Sequence, residues 1–141
     1  AVTRSDMAII GNIGDSRAYH ITPEGIFQIS RDHSVVENMV AKGDLTPLEA
    51  RTHPNRNLIT RALGPDIHAK ADTFELPWHK DEFLLLCSDG LVNTVSDQEM
   101  LFEVLHDGDV NECLDHLLQI SLQRGAPDNI TAVLLLNEEG R

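Results

Sequence analysis

Residues 83 to 88 form a run dominated by apolar side chains that stops abruptly at Asp89-Gly90. A short apolar run bounded by turn formers reads as a buried strand, here one that delivers Asp89 at its carboxyl end. Residues 130 to 136 read as a second strand, which receives the chain from Asp128 in Gly-Ala-Pro-Asp-Asn-Ile-Thr. If the two strands are antiparallel neighbours, both carboxylates lie at one sheet edge. Asp15, at the carboxyl end of a strand from Met7 to Ile13, can join them there. Carboxylates brought together repel unless something neutralises them, and hard divalent cations with oxygen ligands do this best. The pattern points to a carboxylate-rich Mg²⁺ or Mn²⁺ site.

Singly, each of these aspartates also reads as an ordinary turn former, since Asp before Gly, Ser or Asn caps backbone N–H groups. The joint arrangement at strand ends favours the metal-binding reading. The seven histidines are scattered, with no pair at i, i+4 on a convincing helix face, which argues against zinc. Arg17 and Arg61 follow turns, where an arginine more often pairs with nearby carboxylates than with phosphate.

The 141 residues fit one domain, and 41% hydrophobic content is enough for a real core. No apolar stretch approaches the ~20 residues of a membrane span and no charged-then-apolar leader opens the sequence, so the reading is a cytoplasmic protein with no membrane partner. Cys87 and Cys113, without CxxC spacing, read as reduced core thiols. The net charge of −12 argues against nucleic acid as a partner.

Residues 6 to 13 and 16 to 21 are rich in strand formers and separated by Gly14-Asp15, which reads as a tight hairpin-like reversal. Thr22-Pro23-Glu24-Gly25 is a second turn, leading to a strand from Ile26 to Ile29. Val35, Val36, Met39 and Val40 have helical spacing after Ser34, and Gly43 stops the helix. Thr46-Pro47 with Glu49 opens a second short helix. Together with the loop from Thr52 to Asn57, these helices form a surface excursion. Residues 67 to 76 alternate as a strand ending at Pro77. Ser96 with Glu99 opens a helix through about His106, and Asp109 caps another whose Val110, Cys113, Leu114, Leu117 and Ser121 share one face.

Five ordered segments carry a family resemblance. Gly14-Asp15-Ser16-Arg17, Arg31-Asp32-His33-Ser34, Thr60-Arg61-Ala62-Leu63-Gly64, Cys87-Ser88-Asp89-Gly90-Leu91 and Asp128-Asn129-Ile130-Thr131 resemble the motifs of the metal-dependent Ser/Thr phosphatases of type 2C, the PPM family. The excursion around Lys42 to Arg51 is similar to the flap of bacterial members. The resemblance implies an α+β fold: part of a β-sandwich of antiparallel strands flanked by helices, with a flap at about 33–60. It implies that residues 1–141 are the carboxyl-terminal part of a catalytic domain hydrolysing phosphoserine and phosphothreonine in proteins. It further implies that Asp89 and Asp128 ligate two catalytic metals, Mn²⁺ or Mg²⁺, and that Asp15 ligates a third, weaker site shared with Asp89. His33 resembles a fixed position at the base of the flap, where a structural hydrogen-bonding role is favoured over acid catalysis.

The family's Asp-Gly-x-Gly-Gly-His segment, phosphate-gripping arginine and bridging aspartate precede Gly-Asp-Ser-Arg and are not found in these residues. A truncated, largely inactive piece is therefore expected, with an exposed sheet edge open to self-association. The alternative is a non-catalytic phosphatase-like module that binds a protein partner through the flap or that edge.

Overall fold

A computed structural model describes residues 1–106 and 109–139. The strands are β1 (Val2–Thr3), β2 (Met7–Asn12), β3 (Arg17–Thr22), β4 (Gly25–Gln28), β5 (Asp72–Pro77), β6 (Phe83–Cys87) and β7 (Ala132–Leu136). The helices are α1 (Val35–Lys42), α2 (Pro47–Thr52), α3 (Asp89–Val92), α4 (Asp97–His106) and α5 (Val110–Gln123). Two antiparallel sheets result, one in the order β1-β2-β5 and the other β4-β3-β6-β7.

The expected α+β class is observed, and β6 shows how its layers are made. Period-two alternation sends Leu84 to one face and Leu85 and Cys87 to the other. Leu84 packs with Ala8, Ile10, Ala18, Leu76 and Trp78 between the two sheets. Leu85 and Cys87, with Tyr19, Ile21 and Leu134, pack against Leu91, Val95, Met100, Val104, Cys113 and Leu117 of the helical side. The order of layers is therefore sheet, sheet, helices. An uninterrupted apolar run suits β6 because both its faces are covered.

The helix signals hold in detail. Ser34 accepts from the Glu37 N–H, and Gly43 closes α1 with φ of 82°. Thr46 and Glu49 form a reciprocal capping box with Pro47 at the first position of α2. Ser96 and Glu99 exchange the same pair of bonds ahead of α4, and Asp109 accepts from Asn111 and Glu112 at the start of α5. Arg124, just past α5, grips Glu99 at 2.6 Å and the Thr94 carbonyl. The Arg124 bonds, with those from Ser96, hold the Glu99 carboxyl down at about 2.

Two expectations are corrected, and one element was not anticipated. Gly14-Asp15 is not a hairpin, because β2 and β3 belong to different sheets. Alternation sets which side chains face inward but not which strand is the neighbour, and the chain here crosses from one sheet to the other. The strand expected over 67 to 76 is observed only at Asp72–Pro77, with Ile67 almost fully exposed. α3 was not anticipated; its four residues carry too little periodicity to register.

The excursion is closed at its base. Val35 donates to the Leu58 carbonyl and Thr60 to the His33 carbonyl, flanking a bridge between Ser34 and Ile59. Only Val36 of α1 is buried, and nothing in α2 is. Among the described residues, no helix is long and apolar enough to cross a membrane.

Leu85 is fully buried in the larger core. Leu85→Ala is expected to destabilise the fold by about 2–5 kcal/mol, read from urea unfolding followed by circular dichroism.

Candidate metal centre

The antiparallel pairing of β6 with β7 places the residues after β6 beside those before β7. Cys87 lies opposite Ala132, so Ser88-Asp89 leaves one strand where Asn129-Ile130-Thr131 enters the other. Ser88 joins the two segments: its N–H donates to the Thr131 carbonyl at 2.9 Å, and its Oγ accepts from the Thr131 N–H at 3.0 Å. Gly90 completes the approach, since a Cβ there would overlap the Asn129 carbonyl. The Asp-Gly pair thus has a steric cause as well as a turn-forming one. Asp128 caps its own turn by accepting from the Asn129 N–H at 2.7 Å.

Asp15 and Asp89 line one hollow of about 330 Å³ between the sheet ends and the flap, shared with Asp32, Asp97, Asn93 and the flap arginines Arg51 and Arg56. Asp128 lies in an adjoining hollow of about 400 Å³ that also contains Arg51, Arg56, Asn57 and Asn93. Asp15 and Asp89 are thus brought together, and Asp128 stands next door. Among the described residues, no three His, Cys, Asp or Glu side chains converge closely enough to enclose an ion.

Burial, then the negative charges of Asp89 and Asp32, push the Asp15 carboxyl above its ordinary range, against the pull of its own backbone N–H and Arg17. Two half-buried carboxylates in mutual repulsion suit a hard cation, so the donor set fits Mg²⁺ or Mn²⁺ at Asp15 and Asp89.

Arg17 and Arg61 are committed to carboxylates, as their positions after turns imply. Arg17 forks onto Asp32 through Nε at 3.0 Å and Nη2 at 2.8 Å, and its Nη1 donates to the Tyr19 hydroxyl. These bonds hold Arg17 protonated despite its burial. Tyr19 in turn reaches Asp97 at 3.4 Å, and burial pushes its hydroxyl up to about 12. Arg61 donates to Asp72 and to the Lys70 carbonyl. Asp97 also faces Arg51 of the flap at 4.0 Å. Cys87 and Cys113 are buried and outside any disulfide, and burial raises the Cys87 thiol to about 12.

Sequence reasoning missed Asn93, Asp97, Arg51 and Arg56 as walls of these hollows. Asp97 reads only as a first-turn helix residue, and none of the four has a local signal of convergence.

A chain that carries paired strand-end aspartates on a two-sheet, helix-backed scaffold has the architecture of a metal-dependent phosphatase domain. The comparisons bear this out, and the chain belongs to the PPM family of protein phosphatases. It is 34% identical over 144 aligned positions to the serine/threonine phosphatase stp of Listeria monocytogenes, covering all of this chain and 57% of that protein. The crystal structure of Stp1 from Staphylococcus aureus superposes with a TM-score of 0.91 at 39% identity, over 95% of this chain and 53% of that one. The catalytic domain of PstP, solved in complex with 2 manganese ions, superposes at 0.81 with 29% identity, over 94% and 54% of the two chains. The chain therefore spans about half the length of the curated relatives it matches. It matches no family model.

Gly90→Ala is expected to cost about 1–3 kcal/mol, because backbone must move to admit the methyl group, and to loosen Thr131. Urea unfolding and amide exchange at Thr131 measure both. A second expectation concerns pH. With its folded pKa raised, Asp15 contributes stability that is fully present below its ordinary pKa and lost as pH rises through the raised value. At neutral pH without divalent ions, Asp15→Asn should therefore raise the melting temperature. An unchanged or lower value would show that repulsion at Asp15 is already relieved.

Proposed function

We propose that these residues form part of a domain that removes phosphate from phosphoserine and phosphothreonine in cytoplasmic proteins, with Mn²⁺ or Mg²⁺ as cofactor. The observation that carries this reading is the Asp15–Asp89 hollow beneath the flap, beside an Asp128 turn tied to Asp89 by Ser88 and Gly90. Asp89 and Asp128 would hold the catalytic metal pair, and Asp15 with Asp89 a third ion. Bound metals of this kind lower the pKa of a water and stabilise charge developing on phosphate. The chain's own part is to fix those carboxylates on rigid strand ends and to shape the substrate side with the flap. Arg51 and Arg56 bring positive charge to a chain of net charge −12, on the side where a phosphorylated substrate would enter.

The 141 residues contain no Asp-Gly-x-Gly-Gly stretch, so on their own they should turn over slowly or not at all. Unpaired edges at β1 and β7, beside a cleft of about 410 Å³ between the sheets, favour the second reading, a module that binds a protein partner or a second copy.

Mn²⁺ binding followed by titration calorimetry tests the metal centre. Asp89→Asn is expected to weaken it more than any other single change, and equal affinity in wild type and variant would remove the site from the argument. The isolated chain should leave p-nitrophenyl phosphate intact. Co-expression with an amino-terminal half carrying the Asp-Gly-x-Gly-Gly-His segment should restore turnover, and Asp128→Ala should abolish it again. Robust hydrolysis by residues 1–141 alone would show that the chemistry uses another site.

A further inference from the structure

His33 stands at the first position of the flap, and its ring is almost wholly buried, with 8% of the side chain exposed. Its Nδ1 lies 3.0 Å from the Gly14 backbone nitrogen, and its own backbone N–H donates to the Gly14 carbonyl at 2.9 Å. Both polar groups of Gly14, the residue immediately before Asp15, are therefore held by one histidine. Gly14 has a φ of 106°, a conformation glycine adopts without strain, at the point where the chain passes from β2 in one sheet to β3 in the other. A backbone N–H can only donate, so Nδ1 accepts and the ring proton resides on Nε2. Nε2 faces Asp72 Oδ2 at 2.7 Å, and Arg61 holds the other Asp72 oxygen at 2.9 Å. The His33 carbonyl accepts from Thr60, the far end of the flap, at 2.8 Å.

We propose that His33 is a positioning residue for the metal centre: its Nδ1 fixes the Gly14-Asp15 turn, Asp72 and Arg61 fix the ring, and the flap's base is thereby tied to the direction of the Asp15 carboxylate. This rests on the reading of Asp15 and Asp89 as cation ligands. An outer partner that sets the tautomer and orientation of a ligand-bearing element commonly governs affinity for the ion. Here the bond acts through a peptide N–H rather than on the ligand itself, so the acceptor at the Nδ1 position is what matters.

Two substitutions of similar size separate that acceptor from simple packing. His33→Asn can place an amide oxygen where Nδ1 sits, whereas His33→Gln extends its amide toward Asp72 and leaves the Gly14 N–H without an acceptor. Mn²⁺ alone is titrated into the 141-residue chain and free ion is read by electron paramagnetic resonance, with amide exchange at Gly14 and at β6 followed by NMR. His33→Asn should stay within about threefold of wild-type affinity and keep Gly14 protected, while His33→Gln should bind about tenfold more weakly or worse and expose Gly14. β6 should remain protected in both. Equal affinity in wild type and His33→Gln, or equal losses in the two variants, would overturn this inference alone. A wild-type chain that takes up no Mn²⁺ would overturn the reading of the metal centre and this inference with it.

Discussion

The ladder that β6 makes with β3 and β7 is the constraint on which the remaining structure depends. Its hydrogen bonds set Cys87 against Arg17 on one side and against Ala132 on the other. Its two faces hold the inter-sheet core and the helix-facing core together, through Leu84 and Leu85 respectively. Because the side-chain period is two, a one-residue slip would turn Leu84 and Leu85 to the wrong layers. The same register decides where the chain emerges at Asp89 and where it enters after Asp128. The carboxylates inherit their positions from packing.

Electrostatics then works against the arrangement that packing imposes. Asp15 and Asp89 share a hollow that also contains Asp32 and Asp97, within a protein already carrying −12. Part of this charge is neutralised locally: Asp32 by the Arg17 fork, and Asp72 by Arg61. The hydrogen bond from His33 Nε2, together with Arg61, holds the Asp72 carboxyl below the ordinary range. Asp15 has only the small pull of Arg17, already forked onto Asp32, and of its own backbone N–H, and burial dominates, so its charge is left under strain. Strain of this kind, held in place by a rigid frame, is what a site for a hard cation requires.

The flap lines this hollow with two arginines, Arg51 and Arg56, alongside the acidic Glu37. Its helices are well capped yet bury only Val36, so local hydrogen bonding keeps them formed and little apolar area fixes them to the body. What anchors them is the base, where His33, Ser34, Ile59 and Thr60 are stapled together, and the Arg51–Asp97 approach at the rim. Such an element can keep its own shape while its contact with the site varies.

Much of this was legible in the chain. Caps at Ser34, Thr46, Ser96 and Asp109 mark helix starts because their bonds are local, made within three residues. The buried character of β6 and the turn after it follow from apolar patterning and from Asp-Gly, and with them the candidate carboxylates Asp15, Asp89 and Asp128. The sheet change at Gly14 was not legible, since alternation defines an inward face without naming a partner strand. Nor were the roles of Asp97, Asn93, Arg51 and Arg56, which reach the hollows from segments far apart in sequence. Local chemistry determined the elements and the kinds of ligand available; only tertiary packing, through non-local strand pairing and the docking of the flap, decided that Asp15 would face Asp89 while Asp128 would stand in the adjoining hollow.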